Sequence, residues 1–175
     1  MELNDETLRF IREHCKDDVR NLALQAPKYP NVDMPVALTQ IAGRQSAAEK
    51  MPSWYAEEGI LYPRHLPLEQ CSSEATARYK ASIIPESSSA ALTDLTGGFG
   101  IDCAFLSPKF HHVTYVERQE ALCEIASHNF PLLGLNHIRI ENKDSIRHLQ
   151  EMSSVDWIFI DPARRDGHGG KTVAI

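Results

Sequence analysis

Four acids stand at or just beyond the ends of short apolar runs, where side chains could converge on a ligand. Asp94 opens the run Asp94-Leu95-Thr96-Gly97-Gly98-Phe99-Gly100. Glycines at 97, 98 and 100 allow a sharp bend and let the main chain approach a ligand where a Cβ would collide. A Gly-rich bend after a strand serves many nucleotides, and it can equally be only a tight turn. Glu117 follows Asp94 by 23 residues and ends a second apolar run. A carboxylate there can accept from both hydroxyls of a ribose, although an exposed acid that merely ends a strand is the plainer alternative. A third run leads into Asn142-Lys143-Asp144. Asp144 can accept from the exocyclic amine of an adenine or cap a helix starting at Ser145, and the two roles are compatible. The fourth run, Val155 to Ile160, ends in Asp161-Pro162-Ala163-Arg164-Arg165. That ending fixes an acid and a rigid backbone at a strand tip, unless Pro162 serves only to stop the strand.

The elements that would carry these acids alternate from about residue 89 onward. Strands are expected at Ala90 to Leu95, Val113 to Val116, His137 to Ile140 and Val155 to Ile160. Helices are expected at Ile101 to Leu106, 119–133 and 145–152. Such alternation predicts an α/β fold, a parallel sheet with helices on both faces, whose ligands bind beyond the carboxyl ends of the strands. The fourth run is almost continuously apolar, as a central parallel strand should be.

Residues 1–84 read differently, as an α-helical region. Asn4 or Asp5 caps a first helix with Leu3, Leu8, Phe10 and Ile11 as its apolar residues. Asp17 and Asp18 open a second, with Val19, Leu22 and Ala23 inward. A third spans roughly 35–50. Trp54 to Pro67 reads as an extended connection with a short strand at Ile60 to Tyr62, and Ser72 or Ser73 caps a helix reaching about Ile84. Met34, Met51, Trp54 and Tyr55 are expected in the core, and His111 and His112 in solvent.

The chain has 175 residues, 42 % of them hydrophobic, and a formal net charge of −6, with acids in excess in both halves. Nothing in that balance advertises nucleic acid. An RNA substrate would need a local basic patch or a region elsewhere. No apolar run approaches the roughly 20 residues of a membrane span, and the acidic N-terminus does not read as a signal peptide, so a cytoplasmic location without a membrane partner is expected. The four scattered cysteines suit free thiols better than a metal site, and none is expected.

In combination, DLTGGFG, VE, NKD and DWIFIDPARR resemble the class I S-adenosylmethionine-dependent methyltransferases. The resemblance implies a Rossmann-like sheet, here incomplete with strands 1–4, and S-adenosyl-L-methionine as cofactor. It further implies that Asp94, Thr96, Gly97, Gly98 and Gly100 hold the methionine end, Glu117 the ribose and Asp144 the adenine. Asp161 and Pro162 would face both cofactor and methyl acceptor, with Arg164 beside them. The run Leu68-Glu69-Gln70-Cys71-Ser72-Ser73-Glu74-Ala75-Thr76-Ala77 looks like the segment that closes over the cofactor in trimethylguanosine synthase and its bacterial relatives. That likeness implies cofactor contacts for Gln70, Ser72, Ser73 and Thr76. The whole chain is similar to bacterial methyltransferases with a THUMP-like domain, through Arg44-Gln45, Lys50 to Tyr55 and LEQCSSE. The implied organisation is a helical region at 1–67 and the N-terminal half of a methyltransferase domain at 68–175. The implied activity is methyl transfer, with the amino nitrogen of an RNA base as acceptor.

Two departures accompany the likeness. Amino methyltransferases commonly carry Asp/Asn-Pro-Pro followed by an aromatic residue, or in RNA guanine-N2 enzymes Asp-Pro-Pro-Arg. Here Ala163 replaces the second proline. The chain also stops soon after the fourth strand, so it reads as a fragment of a seven-stranded domain. Three rivals were weighed against a transferase. A nicotinamide dehydrogenase is disfavoured because Asp94 precedes the glycines and would repel a pyrophosphate. A phosphate-binding loop at Gly170-Lys171-Thr172 lacks its first glycine, since Arg165 stands there. A cofactor-binding module without transferase activity, acting as an interaction domain, is the remaining alternative. The oligomeric state is not legible.

Overall fold

Helix starts are set by short polar side chains. In the computed structural model, which describes residues 3–85 and 90–162, Asn4 accepts from the Thr7 N–H at 2.8 Å to open α1 (Asp5–Glu13). Asp18 accepts from the Asn21 N–H at 2.9 Å to open α2 (Val19–Leu24), and Asp33 from the Val36 N–H at α3 (Met34–Lys50). Each cap satisfies an N–H that a helix start leaves without an internal partner. Phe10, Leu22, Met34, Ala37 and Ile41 of these helices form a small hydrophobic cluster of their own. Ala23, expected inward, is exposed, and so is Leu8 among the apolar residues of α1. The buried side of α1 runs instead through Phe10 and Thr7, whose hydroxyl accepts from the Asp33 N–H at 2.9 Å.

The stretch expected to be an extended connection contains two short helices, α4 (Pro52–Ala56) and α5 (His65–Gln70). Pro52 and Pro67 lie in their first turns, where a missing N–H costs no internal hydrogen bond. Ile60 to Tyr62 forms no strand. Its main chain is bracketed by two amide side chains instead of neighbouring strands. Gln40 accepts from the Tyr62 N–H at 2.8 Å and donates to the Tyr62 carbonyl at 2.9 Å. Asn129, from a later helix, does the same for Leu61 at 2.9 and 2.8 Å.

Ser73 caps α6 (Glu74–Ser82) by accepting from the Thr76 N–H at 3.2 Å. Glu74 is buried and accepts from both the N–H and the hydroxyl of Ser53 at 2.8 Å, tying α6 to α4. Burial would raise its pKa, but Ser53 and the Arg78 guanidinium outweigh it and hold the carboxyl below the usual range.

The alternating half follows as β1 (Ala91–Asp94), α7 (Ile101–Leu106), β2 (His112–Glu117), α8 (Glu120–Leu132), β3 (Ile138–Asn142), α9 (Ser145–Glu151) and β4 (Trp157–Phe159). Every strand pair is parallel, in the order β3-β2-β1-β4. This is a Rossmann-like sheet with helices around it, preceded by a helical region. Its core joins Leu92, Val113, Tyr115 and Ile138 of the strands to Ile101, Leu106, Ile125 and Phe130 of the helices. Met51, Trp54, Ile60 and Tyr62 belong to the same cluster, so residues before the sheet are packed into its core. The expectation that β4 is a buried central strand is not met among the described residues. It pairs only with β1, and Trp157, Ile158 and Ile160 are 38 %, 45 % and 58 % exposed.

Candidate functional site

The strand tips are stitched together at their carboxyl ends. Leu95 N–H donates to the Phe159 carbonyl at 3.0 Å, Gly97 N–H to Val116 at 3.0 Å, and Lys143 N–H to Glu117 at 3.1 Å. Beyond them opens a cleft of about 950 Å³. Gln70, Ser72, Ser73 and Thr76 line it from α5, α6 and the link between them, and Thr96, Gly97, Gly98 and Gly100 from the bend after β1. Glu117, Asp144, Asp161 and Pro162 line it from the other strand ends. Twelve of the residues singled out from sequence thus share one cavity. Asp94 does not line it, and Arg164, like the Gly170-Lys171-Thr172 run, lies outside the described residues.

The glycine bend owes its composition to what lies behind it as well as to the cleft in front. A Cβ on Gly97 would fall on the Tyr115 ring, 2.3 Å from its nearest carbon, and Gly100 combines φ +92° with the Phe130 ring at 2.9 Å. Tyr115 pins the bend by donating to the Gly98 carbonyl at 2.6 Å. Phe99 turns inward and packs edge-on against Trp54 at 5.0 Å, so the helical region buttresses the bend from behind. The glycines therefore permit close packing behind the bend, a reason that the sequence alone did not supply.

The four acids sit in different electrostatic settings. Asp94 is 1 % exposed. Its Oδ1 accepts from the Thr96 N–H at 2.9 Å, while Oδ2 is buried without a hydrogen-bond partner among the described residues. Burial, helped by the neighbouring Asp102 and Glu117 carboxylates, pushes its pKa up to about 7 despite the Thr96 bonds. Glu117 accepts from the Gly98 N–H at 3.0 Å and the Gln119 N–H at 2.8 Å, holding the bend against β2. Asp144 caps α9, its Oδ1 accepting from the N–H groups of Ile146 and Arg147. Asp161 is half-exposed, and its N–H donates to the Thr96 hydroxyl at 2.8 Å.

Two charged residues missed from the sequence adjoin these acids: Asp102, which lines the cleft, and Lys80, which does not line it but bonds to residues that do. Lys80 of α6 donates to Ser72 Oγ at 3.0 Å, Asp102 Oδ2 at 3.0 Å and Asp161 Oδ2 at 2.9 Å. Ser72 Oγ donates to the same Asp102 oxygen at 2.8 Å, and Asp102 Oδ1 is buried without a partner among the described residues. Burial alone would lower the Lys80 pKa, but Asp161 and Asp102 reverse this and raise it, so the side chain stays an ammonium. Cys71 also lines the cleft; its thiol donates to the Leu68 carbonyl at 3.1 Å, and burial raises its pKa. Among the described residues, no three His, Cys, Asp or Glu side chains gather as a metal site, and no helix is long and apolar enough to cross a membrane.

No family model matches the chain. A crystal structure from Porphyromonas gingivalis W83, provisionally assigned as a methyltransferase, superposes with a TM-score of 0.73 at 28 % sequence identity, covering 94 % of this chain and 43 % of that one. The 23S rRNA (uracil(1939)-C(5))-methyltransferase RlmD of Chromohalobacter salexigens is 30 % identical over 71 residues, which is 41 % of this chain and 15 % of the relative. The C-terminal domain of precorrin-6Y C5,15-methyltransferase from Rhodobacter capsulatus gives a TM-score of 0.49 at 16 % identity, over 54 % of this chain and 52 % of that domain. Through the first two of these the chain is similar to methyltransferases, and the first shares its Rossmann-like architecture. The chain spans less than half the length of the first of these proteins and a small part of the second.

Proposed function

We propose that this chain is the cofactor-binding part of an S-adenosylmethionine-dependent methyltransferase whose acceptor is an exocyclic amino nitrogen of an RNA base. The observation that carries the reading is one cleft lined together by the glycine bend and by Glu117, Asp144 and Asp161, with the neighbouring Asp94 buried and its Oδ2 without a partner among the described residues. A buried carboxylate oxygen without a donor is costly, and a cationic N–H donor offsets that cost. The amino group of a methionine tail is such a donor; the pyrophosphate of a dinucleotide is the opposite. The residues present therefore fit the cofactor. Asp94 and the bend at Thr96 to Gly100 would hold its methionine end, with Gln70, Ser72, Ser73 and Thr76 closing over it. Glu117 would take the ribose hydroxyls and Asp144 the adenine amine. When bound, the cofactor supplies an electrophilic methyl group on a sulfonium.

The protein's own part is positioning, which can lower such a barrier by roughly 7–11 kcal/mol. Asp161 and the Pro162 carbonyl accept hydrogen bonds from the acceptor NH₂ and aim its lone pair, while Arg164 contacts a phosphate or base. The choice of an amine rests on the resemblance of Asp161-Pro162 to the Asp-Pro start of the amino methyltransferase motif. RNA as the acceptor rests on the likeness to the rRNA enzyme, against a chain whose net charge is −6. Among the described residues the basic side chains on the cleft wall are Arg118 and Lys143.

Calorimetry tests the reading. S-adenosylhomocysteine should bind while NAD does not, and Asp94→Ala should weaken binding by at least about tenfold, as expected for a lost charged hydrogen bond. Asp161→Ala should retain binding and lose transfer of tritium from labelled S-adenosylmethionine to RNA. Binding of NAD in preference to S-adenosylhomocysteine would overturn the assignment.

A further inference from the structure

We propose, resting on the reading above, that Lys80 is the positioning residue of the acceptor motif: it fixes the Asp161 carboxylate through Oδ2 and leaves Oδ1 as the oxygen available to an acceptor. Asp161 is half-exposed at a strand tip, where a carboxylate would otherwise sample several rotamers. Two anchors hold it. The Thr96 hydroxyl accepts from its N–H at 2.8 Å and fixes the backbone, and the Lys80 ammonium at 2.9 Å fixes the side chain.

Lys80 is itself held firmly. An ammonium has three N–H donors, and here they meet three acceptors on three segments: Ser72 before α6, Asp102 in α7 and Asp161 after β4. The Phe159 ring lies 5.1 Å from its nitrogen, and the side chain is 24 % exposed, which limits screening by water. With every donor engaged, Lys80 cannot bind a ligand directly without giving up one of these bonds. Its role is therefore exerted through Asp161. Because Ser72 and Asp102 also line the cleft, the same nitrogen joins the cofactor side of the cavity to its acceptor side. An Arg at this place keeps the charge but offers a planar fork to acceptors arranged around a tetrahedral nitrogen, so it should restore the function only in part.

The test uses the full chain and two independent readouts. In ¹⁵N spectra of the lysine side chains, the Lys80 ammonium should give a slowly exchanging signal at neutral pH, and Asp161→Asn should shift it and speed its exchange. Lys80→Met should leave the dissociation constant of S-adenosylhomocysteine within about threefold, while tritium transfer to RNA falls by about a hundredfold through loss of orientation. Lys80→Arg should recover part of that loss. The double variant Lys80→Met with Asp161→Asn should be no worse than Asp161→Asn alone, since both remove one interaction. A Lys80 signal unmoved by Asp161→Asn, or losses that multiply in the double variant, would overturn the proposal. Should the wild-type chain fail to bind S-adenosylhomocysteine, the functional reading falls, and the ammonium signal still decides whether Lys80 fixes Asp161.

Discussion

Asp94 is the acid of the four whose burial most alters its titration. Its pKa is pushed up from 3.8 to about 7 by burial, so folding favours the protonated form. The associated stability is complete below the ordinary carboxylate range and is lost as pH rises through about 7. The free chain should therefore melt at progressively lower temperature from pH 5 to pH 8, and Asp94→Asn should flatten that slope in thermal denaturation. A cationic donor favours the ionised form. S-adenosylhomocysteine should thus bind more tightly as pH rises through 7, and below 7 its binding should release a proton measurable by calorimetry in buffers of different ionisation enthalpy. An affinity independent of pH would contradict the direct pairing. At this scale the sequence was informative about acids and silent about their partners. Asp94, Glu117, Asp144 and Asp161 were legible because each ends an apolar run. Lys80 and Asp102 were not, because a salt bridge between α6, α7 and the tip of β4 depends on tertiary placement.

Elements were legible where one kind of local signal dominated. The three helices between the strands follow from periodicity, and Asn4, Asp18, Ser73 and Asp144 mark helix starts as N-caps do. The stretch Trp54 to Pro67 reads as an extended connection, yet it shares residues with α4 and α5, because Pro52 and Pro67 sit in first turns where a proline removes no internal hydrogen bond. Ile60 to Tyr62 forms no strand for a different reason: its main chain is satisfied by amide side chains far away in sequence. That substitution is testable. Asn129 is fully buried and makes both of its hydrogen bonds to Leu61. Asn129→Ala leaves an N–H and a carbonyl unsatisfied and should cost about 2–4 kcal/mol in chemical denaturation, whereas an exposed control such as Glu124→Ala should cost less than about 0.5 kcal/mol. Equal effects for the two variants would mean that the bracket contributes little.

Across the molecule, two hydrophobic clusters share one helix. Met34, Ala37 and Ile41 of α3 belong to the small cluster, and Ala47 to the cluster under the sheet. Local stability follows buried contacts, so amides near residues 37–42 should exchange hydrogen faster than those near 46–50, as measured by mass spectrometry on the native chain. Uniform exchange along α3 would show that the clusters open together. The far end of α3 reaches the rim of the cleft, where Lys50 donates to the carbonyls of Leu68 and Glu69 at 2.8 Å. At 17 residues the helix is a rod about 25 Å long. One rigid rod therefore runs from the small cluster, through the core under the sheet, to the carbonyls at the edge of the opening, so the first forty residues and the cleft are tied by a single element.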